Sequence, residues 1–128
     1  MKTKKILVVD DASSIRNLFN SALTPKGYHV FLAQSAEEAL DILETHSILV
    51  MFLDLNLPGM NGVELCRNVM KASPISIAFA ITGYASRFQL SDCKYAGFED
   101  YFTKPVSLEQ IFAAARHAFE KLERWQNN

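Results

Sequence analysis

Five polar side chains in this sequence stand where apolar runs stop: Asp10 and Asp11 after Lys5–Val9, Asp54 after Ile48–Leu53, Thr82 after Ile75–Ile81, and Lys104 just after Tyr101-Phe102. A carboxylate can itself be a nucleophile, attacking phosphorus to form an acyl phosphate. Asp54 is the candidate, because it stands alone at the end of the most continuously apolar run. In-line transfer needs positive charge and donors around the equatorial oxygens, which the Lys104 ammonium, the Thr82 hydroxyl and a divalent cation can supply. If the first, third and fourth strands are central neighbours, the carboxylates of Asp10, Asp11 and Asp54 converge and repel one another unless a cation neutralises them. An oxygen-only site with few protein ligands suits Mg²⁺, and Mn²⁺ could substitute. No His or Cys joins the pattern, which disfavours Zn²⁺. Taken singly, an Asp at a strand end is usually a solvated turn residue. The signal is the joint occurrence, each residue at the carboxyl end of a different predicted strand.

Five βα units must position these groups. Lys5–Val9 reads as a buried strand, and Ile15, Leu18, Phe19, Ala22 and Leu23 form one apolar helical face before the stop at Pro25-Lys26-Gly27. Tyr28–Ala33 reads as the second strand, and the pattern Ser35-Ala-Glu-Glu38 predicts a capping box opening a helix with Ala39, Leu40 and Leu43 inward. Ile48–Leu53 is apolar at every position, as a central parallel strand covered on both faces must be. Pro58–Gly62 is a loop, and the helix after it puts Val63, Cys66, Val69 and Met70 on one side. Ile75–Ile81 is the fourth strand. A helix is expected over Ser86–Ala96, with an apolar stripe of Phe88, Leu90, Cys93 and Tyr95. Tyr101-Phe102 is the last strand, and Ser107-Leu-Glu-Gln110 caps a helix expected to bury Leu108, Ile111, Phe112, Ala115, Phe119 and Leu122. Strict alternation with short connections predicts an α/β fold, a doubly wound five-stranded parallel sheet with five helices, whose ligand site lies at the strands' carboxyl ends.

The 128 residues suit one domain, and after Leu122 only Glu123–Asn128 remain, so no output domain is expected within residues 1–128. Thirteen basic and fourteen acidic residues leave a formal charge of -1, which argues against direct nucleic-acid binding. The longest apolar run is too short for a membrane span, and the start MKTKK leads into a strand rather than a signal-peptide core, so we expect a cytoplasmic protein without membrane contact. Cys66 and Cys93 are too few for a disulfide framework and read as reduced structural thiols.

At these residues the sequence resembles the receiver domains of two-component response regulators, including the chemotaxis regulators, along essentially its whole length. The matching stretches are Val8-Val-Asp-Asp11, Phe52-Leu-Asp-Leu-Asn-Leu-Pro-Gly-Met-Asn-Gly62, Ile81-Thr-Gly83 and Ala96-Gly-Phe-Glu-Asp-Tyr-Phe-Thr-Lys-Pro105. The resemblance implies a flavodoxin-like (βα)5 receiver fold and a signalling domain rather than an enzyme, one that organises its own phosphotransfer and autodephosphorylation. By the same resemblance, Asp54 accepts the phosphoryl group from a sensor histidine kinase or phosphotransfer protein. Asp11 and Asp54 bind Mg²⁺ through carboxylates, Asn56 adds its main-chain carbonyl, and Asp10 acts largely through water. Thr82 and Lys104 hold the phosphoryl oxygens, Tyr101 is the aromatic switch, and the peptide before Pro105 is often cis. Asn56 and Tyr84 flank the site and tune phosphoryl lifetime. A downstream protein, or a second copy in a self-dimer, docks on the fourth helix, fifth strand and fifth helix. For Tyr101 and Trp125, simple packing is the alternative role.

Other readings fit less well. A phosphatase of the haloacid dehalogenase type needs a second Asp two residues after its nucleophile, where this chain has Asn56. A flavin site would need a hydroxyl-rich phosphate loop after the first strand, where two acids stand. No G-x-G-x-x-G or Walker sequence occurs, and Gly59-Met-Asn-Gly62 lacks the basic neighbours of an RNA clamp. A receiver fold used only for docking would be signalled by loss of an acid, the Thr or the Lys, and none is lost.

Overall fold

The computed structural model describes residues 3–83 and 90–126. Its elements alternate as the periodicity predicts: β1 (Lys5–Val9), α1 (Ser13–Leu23) with a 3-10 turn (Thr24–Lys26), β2 (His29–Ala33), α2 (Ala36–Thr45), β3 (Val50–Asp54), α3 (Gly62–Ala72), β4 (Ile77–Thr82), α4 (Leu90–Ala96), β5 (Asp100–Thr103) and α5 (Leu108–Gln126). All five strands pair in parallel in the order β2-β1-β3-β4-β5. From β1 the chain runs to one edge, then returns to β1's other side and continues outward. The carboxyl ends of β1 and β3 therefore flank the point where the winding reverses, which is where a crevice opens in such sheets.

Helices cover both faces. Ile6, Val8, Val50, Phe52, Ile77, Phe79 and Ile81 pack toward α1 and α5, while Leu7, Val9, Met51, Leu53, Ala78 and Ala80 pack toward α2, α3 and α4. That division explains why β3 is apolar throughout, since both rows of its side chains are buried. A row of rings crosses the first layer: Phe19 to Phe52 at 5.0 Å, Phe52 to Phe79 at 5.1 Å and Phe79 to Phe102 at 5.9 Å between centroids. Among the described residues no helix is long and apolar enough to cross a membrane.

Helix starts follow local hydrogen-bond chemistry. Ser107 and Gln110 cap each other reciprocally: the Ser107 hydroxyl oxygen accepts the Gln110 N–H, and Gln110 Oε1 accepts the Ser107 N–H. At α2 only half the expected box forms. Ser35 accepts the Glu38 N–H, but the Glu38 carboxylate reaches one residue further back, to the Gln34 N–H. A third box, Asn61 with Glu64, opens α3 within what the sequence suggests is loop.

Several expected core positions turn out otherwise. Strand β4 begins at Ile77, and Ile75 is exposed, because Pro74 has no N–H to pair and the Ser76 N–H closes a turn onto Ser73. In α4 the inward pair is Cys93 and Ala96, one turn apart, while Leu90 and Tyr95 point to solvent, Tyr95 being 88% exposed. The expected positions Ser86 and Phe88 lie outside the described residues. Helix α5 meets the sheet through Ile111, Ala114, Ala115, Ala118 and Leu122. This stripe of small side chains lets the helix approach closely, displacing Phe112 and Phe119 to half-buried flanks and leaving Leu108 exposed on the first turn. Phe119 stacks on Tyr28 at 5.5 Å, and the Lys26 ammonium lies over the Phe112 ring at 4.8 Å. Trp125 is not a packing residue, being 65% exposed.

Gly62, the first residue of α3, lies directly against the backbone of Asp54. A Cβ there would collide with the Asp54 carbonyl and come to 2.9 Å from Leu55 Cα, both rigid backbone, while the Gly62 N–H donates to the Leu55 carbonyl at 3.1 Å. Helix propensity alone favours Ala over Gly by about 1 kcal/mol, whereas forcing a methyl into packed backbone costs about 1–3 kcal/mol. Gly62→Ala should therefore destabilise the protein, with a lower urea midpoint at unchanged m-value. A midpoint equal to or above wild type would show that α3 can move away from β3 without cost.

Candidate acidic site at the sheet's carboxyl rim

The two inner acids come from adjacent strands, Asp10 directly after β1 and Asp54 as the last residue of β3. Side chains alternate along a strand, so Asp10 falls on the same side as Ile6 and Val8, and Asp54 on the same side as Val50 and Phe52. Both carboxylates are buried, and Asp11 is exposed at the rim. Carboxylate oxygens of the three acids lie within 4.8 Å of one another.

Each acid is held differently. Asp10 Oδ1 accepts the Ala12 N–H at 2.9 Å, fixing the turn that opens α1. Asp54 Oδ1 accepts the Asn56 N–H at 3.2 Å. Lys104, following β5, brings its ammonium to 3.1 Å from Asp10 Oδ2 and 3.7 Å from Asp54 Oδ2, and its side chain is 27% exposed. The Lys104–Asp10 contact is short enough for an ion pair but is not aligned as a hydrogen bond, so the buried Oδ2 of Asp10 lacks a directed donor. A buried carboxylate oxygen in that condition is poorly compensated and suits coordination by a hard cation.

Burial pushes the Asp54 carboxyl above its ordinary pKa, and the Asp10 charge pushes it further, with a smaller contribution from Asp11. Lys104 and the Asn56 N–H pull the other way without cancelling the effect. The site therefore holds more negative charge than its own donors stabilise. A divalent cation among these oxygens would remove the excess, and the all-oxygen donor set fits Mg²⁺.

Thr82 ends β4 and is buried, and its hydroxyl donates to the Gly83 carbonyl at 3.1 Å. Its own carbonyl accepts the Lys104 N–H at 2.8 Å, which ties the β4 end to the lysine's backbone. The Lys104–Pro105 peptide is cis. Tyr101 pairs with Ala80 across β4 and β5, and its half-buried ring packs into the layer beneath α3 and α4. By alternation Thr82 stands on the same side as Ala80, so Thr82 and Tyr101 share one side of the sheet. The Asn56 side chain is exposed, and Tyr84 lies outside the described residues.

Cys66 and Cys93 are free and buried, Cys66 on α3 and Cys93 on α4. Burial pushes the Cys66 thiol up to about 12, and its Sγ contacts the Ala96 carbonyl at 3.4 Å. Four residues around the site, Gly62, Arg16, Asn61 and Glu64, are not singled out by sequence reasoning. Gly62 and Arg16 offered no local pattern marking a close approach or a long reach. The Asn61-x-x-Glu64 spacing was a usable cap signal hidden within a Gly- and Pro-rich stretch.

Residues 6–116 match the response regulator receiver domain family. The chain is 36% identical over 109 residues to an uncharacterized transcriptional regulatory protein of Bacillus subtilis, covering 85% of this chain and 46% of that protein. It is 30% identical over 116 residues to sporulation initiation phosphotransferase F of the same organism, covering 91% of this chain and 94% of that protein. A CheY-like receiver domain protein from Methanospirillum hungatei superimposes with a TM-score of 0.90 at 30% identity, covering 96% of this chain and 98% of that one. Most of the curated relatives it matches are longer, and the chain spans about half the length of six of them. With its five-stranded doubly wound sheet and its acids gathered at the rim, the chain belongs to the response regulator receiver domain family.

Proposed function

We propose that residues 1–128 act in the cytoplasm as one receiver unit that accepts a phosphoryl group on Asp54 and passes the signal on through a changed surface. The observation that carries this reading is the Asp54 carboxylate, buried at the end of β3 beside two other acids and within 3.7 Å of the Lys104 ammonium. An Asp54 oxygen attacks the phosphorus of the donor. A new O–P bond forms while the bond to the donor breaks, its electron pair leaving with the donor; for a phosphohistidine that is an N–P bond. The donor is a sensor histidine kinase or a phosphotransfer protein. The Asp11 and Asp54 carboxylates and the Asn56 carbonyl would hold Mg²⁺, with Asp10 contributing largely through water, and the ion would supply charge neutralisation at the transferring group. Lys104 keeps its ammonium where the equatorial oxygens develop charge, and the Thr82 hydroxyl turns from Gly83 to a phosphoryl oxygen.

That turn links chemistry to output. Thr82 and Tyr101 share one side of the sheet, and opposite Tyr101 is Ala80, whose small side chain leaves room for the ring. Drawing Thr82 toward the phosphoryl group favours a more deeply buried ring, reshaping α4, β5 and α5, where a downstream protein or a second copy docks. The chain is a signalling domain on this reading, with neither nucleic acid nor membrane as a direct partner.

Incubation with Mg²⁺ and acetyl phosphate should add one phosphoryl group by intact mass, and Asp54→Asn should not be labelled. Labelling of that variant at the wild-type rate would falsify Asp54 as the acceptor.

The raised pKa of Asp54 also sets a sign for stability. Between the unfolded and the raised folded pKa the native state binds more protons, so stability falls as pH rises through the folded pKa. At neutral pH, in chelator, Asp54→Asn should therefore melt above wild type, the gap closing as acid protonates Asp54. A variant melting below wild type across that whole range would mean that the lost Lys104 attraction outweighs the relieved repulsion.

Thr82→Ala should still be phosphorylated on Asp54 but show a smaller phosphorylation-induced change in the Tyr101 ring shifts. A full wild-type response of Tyr101 in that variant would remove Thr82 from the route to the surface.

A further inference from the structure

Arg16 stands in the second half-turn of α1 and reaches back past the helix start to the strand end, where its Nη1 donates to the main-chain carbonyl of Asp10 at 2.8 Å. The side chain is half-buried, so the contact is partly shielded from competing water. It completes the fixation of one residue. The Asp10 N–H donates to the Ala33 carbonyl at 3.1 Å, its carbonyl takes Arg16, and Oδ1 takes the Ala12 N–H at 2.9 Å. Only Oδ2 is left without a directed donor, 3.1 Å from the Lys104 ammonium.

We propose that Arg16 is a positioning residue for the acidic site: by holding the Asp10 main chain at the strand end, it keeps Oδ2 aimed at the position of the divalent cation. This rests on the Mg²⁺ reading above. Hydrogen bonds made by charged donors are among the stronger ones, and groups that orient a metal's ligands typically contribute tenfold or more to its affinity.

A guanidinium beside a cation site repels the cation, so by charge alone removing Arg16 should tighten Mg²⁺ binding. Removing a positioning contact does the opposite, because Asp10 gains freedom that binding must then suppress. A contact serving only the fold of α1 would lower stability and leave just the charge effect, tighter binding.

The test is a Mg²⁺ titration of wild type and Arg16→Met, followed by backbone amide NMR shifts, with hydrogen exchange at the Ala12 amide measured alongside. The expected result is Mg²⁺ affinity weakened on the order of tenfold and faster Ala12 exchange in the folded variant. Arg16→Gln, neutral but polar, should weaken binding in the same direction and serves if the Met variant is poorly folded. Equal or tighter Mg²⁺ binding in a folded variant, with Ala12 as protected as in wild type, would overturn the proposal. Failure of wild type itself to bind Mg²⁺ would instead overturn the metal reading on which the proposal stands.

Discussion

Two carboxylates from neighbouring strands, Asp10 and Asp54, are held out of water at one rim, and the Lys104 ammonium lies against both. Left alone, such a pair is unfavourable, since burial penalises each charge and proximity penalises them jointly. The architecture tolerates it because the cost is confined to the ends of strands whose interiors are apolar on both faces. The sheet order is what makes the meeting unavoidable. β1 and β3 pair directly, Ile6 to Val50 through Val9 to Leu53, so the next residue on each strand is an acid beside an acid.

The surrounding loops gain meaning from that pair. Gly62 lets α3 start hard against the Asp54 backbone, with the Asn61–Glu64 box closing its first turn. The Asn56 N–H holds one oxygen of Asp54, and the Ala12 N–H holds one of Asp10. In both acids the second oxygen faces Lys104. Each carboxylate thus has a structural oxygen and a chemical one, and the division is made by backbone amides, which do not titrate and which only a substitution to proline would remove.

Much of this was legible in the sequence. The alternation of strands and helices, the carboxyl-end placement of the acids and the parallel, doubly covered character of β3 all follow from apolar runs and their stops. What failed did so for tertiary reasons. Leu108 and Tyr95 satisfy a helical period yet face solvent, because the Ala114, Ala115 and Ala118 stripe and the Cys93–Ala96 pair decide how α5 and α4 seat. Ile75 belongs to an apolar run but sits beyond the pairing that Pro74 delays. Periodicity reports which faces could be buried; contact with another element decides which one is. Close approaches such as Gly62 on Asp54, and long reaches such as Arg16 to Asp10, involve positions distant in sequence and leave no local pattern.

On the proposed reading, the same electrostatics limit where a signal can originate. Phosphorylation shifts a conformational equilibrium only by interactions that differ between the two states. Lys104 already stands 3.1 Å and 3.7 Å from two carboxylates, so attraction to a phosphoryl group largely replaces pairing it has. Its difference between states is therefore small. Thr82 is otherwise placed, because its hydroxyl is turned to the Gly83 carbonyl and must reorient to reach a phosphoryl oxygen. The larger differential interaction belongs to the residue that moves. Thr82 stands on Tyr101's side of the sheet, whereas Asp10 and Asp54 alternate to the opposite side, so the hydroxyl is the group able to carry the change from one side of the sheet to the other.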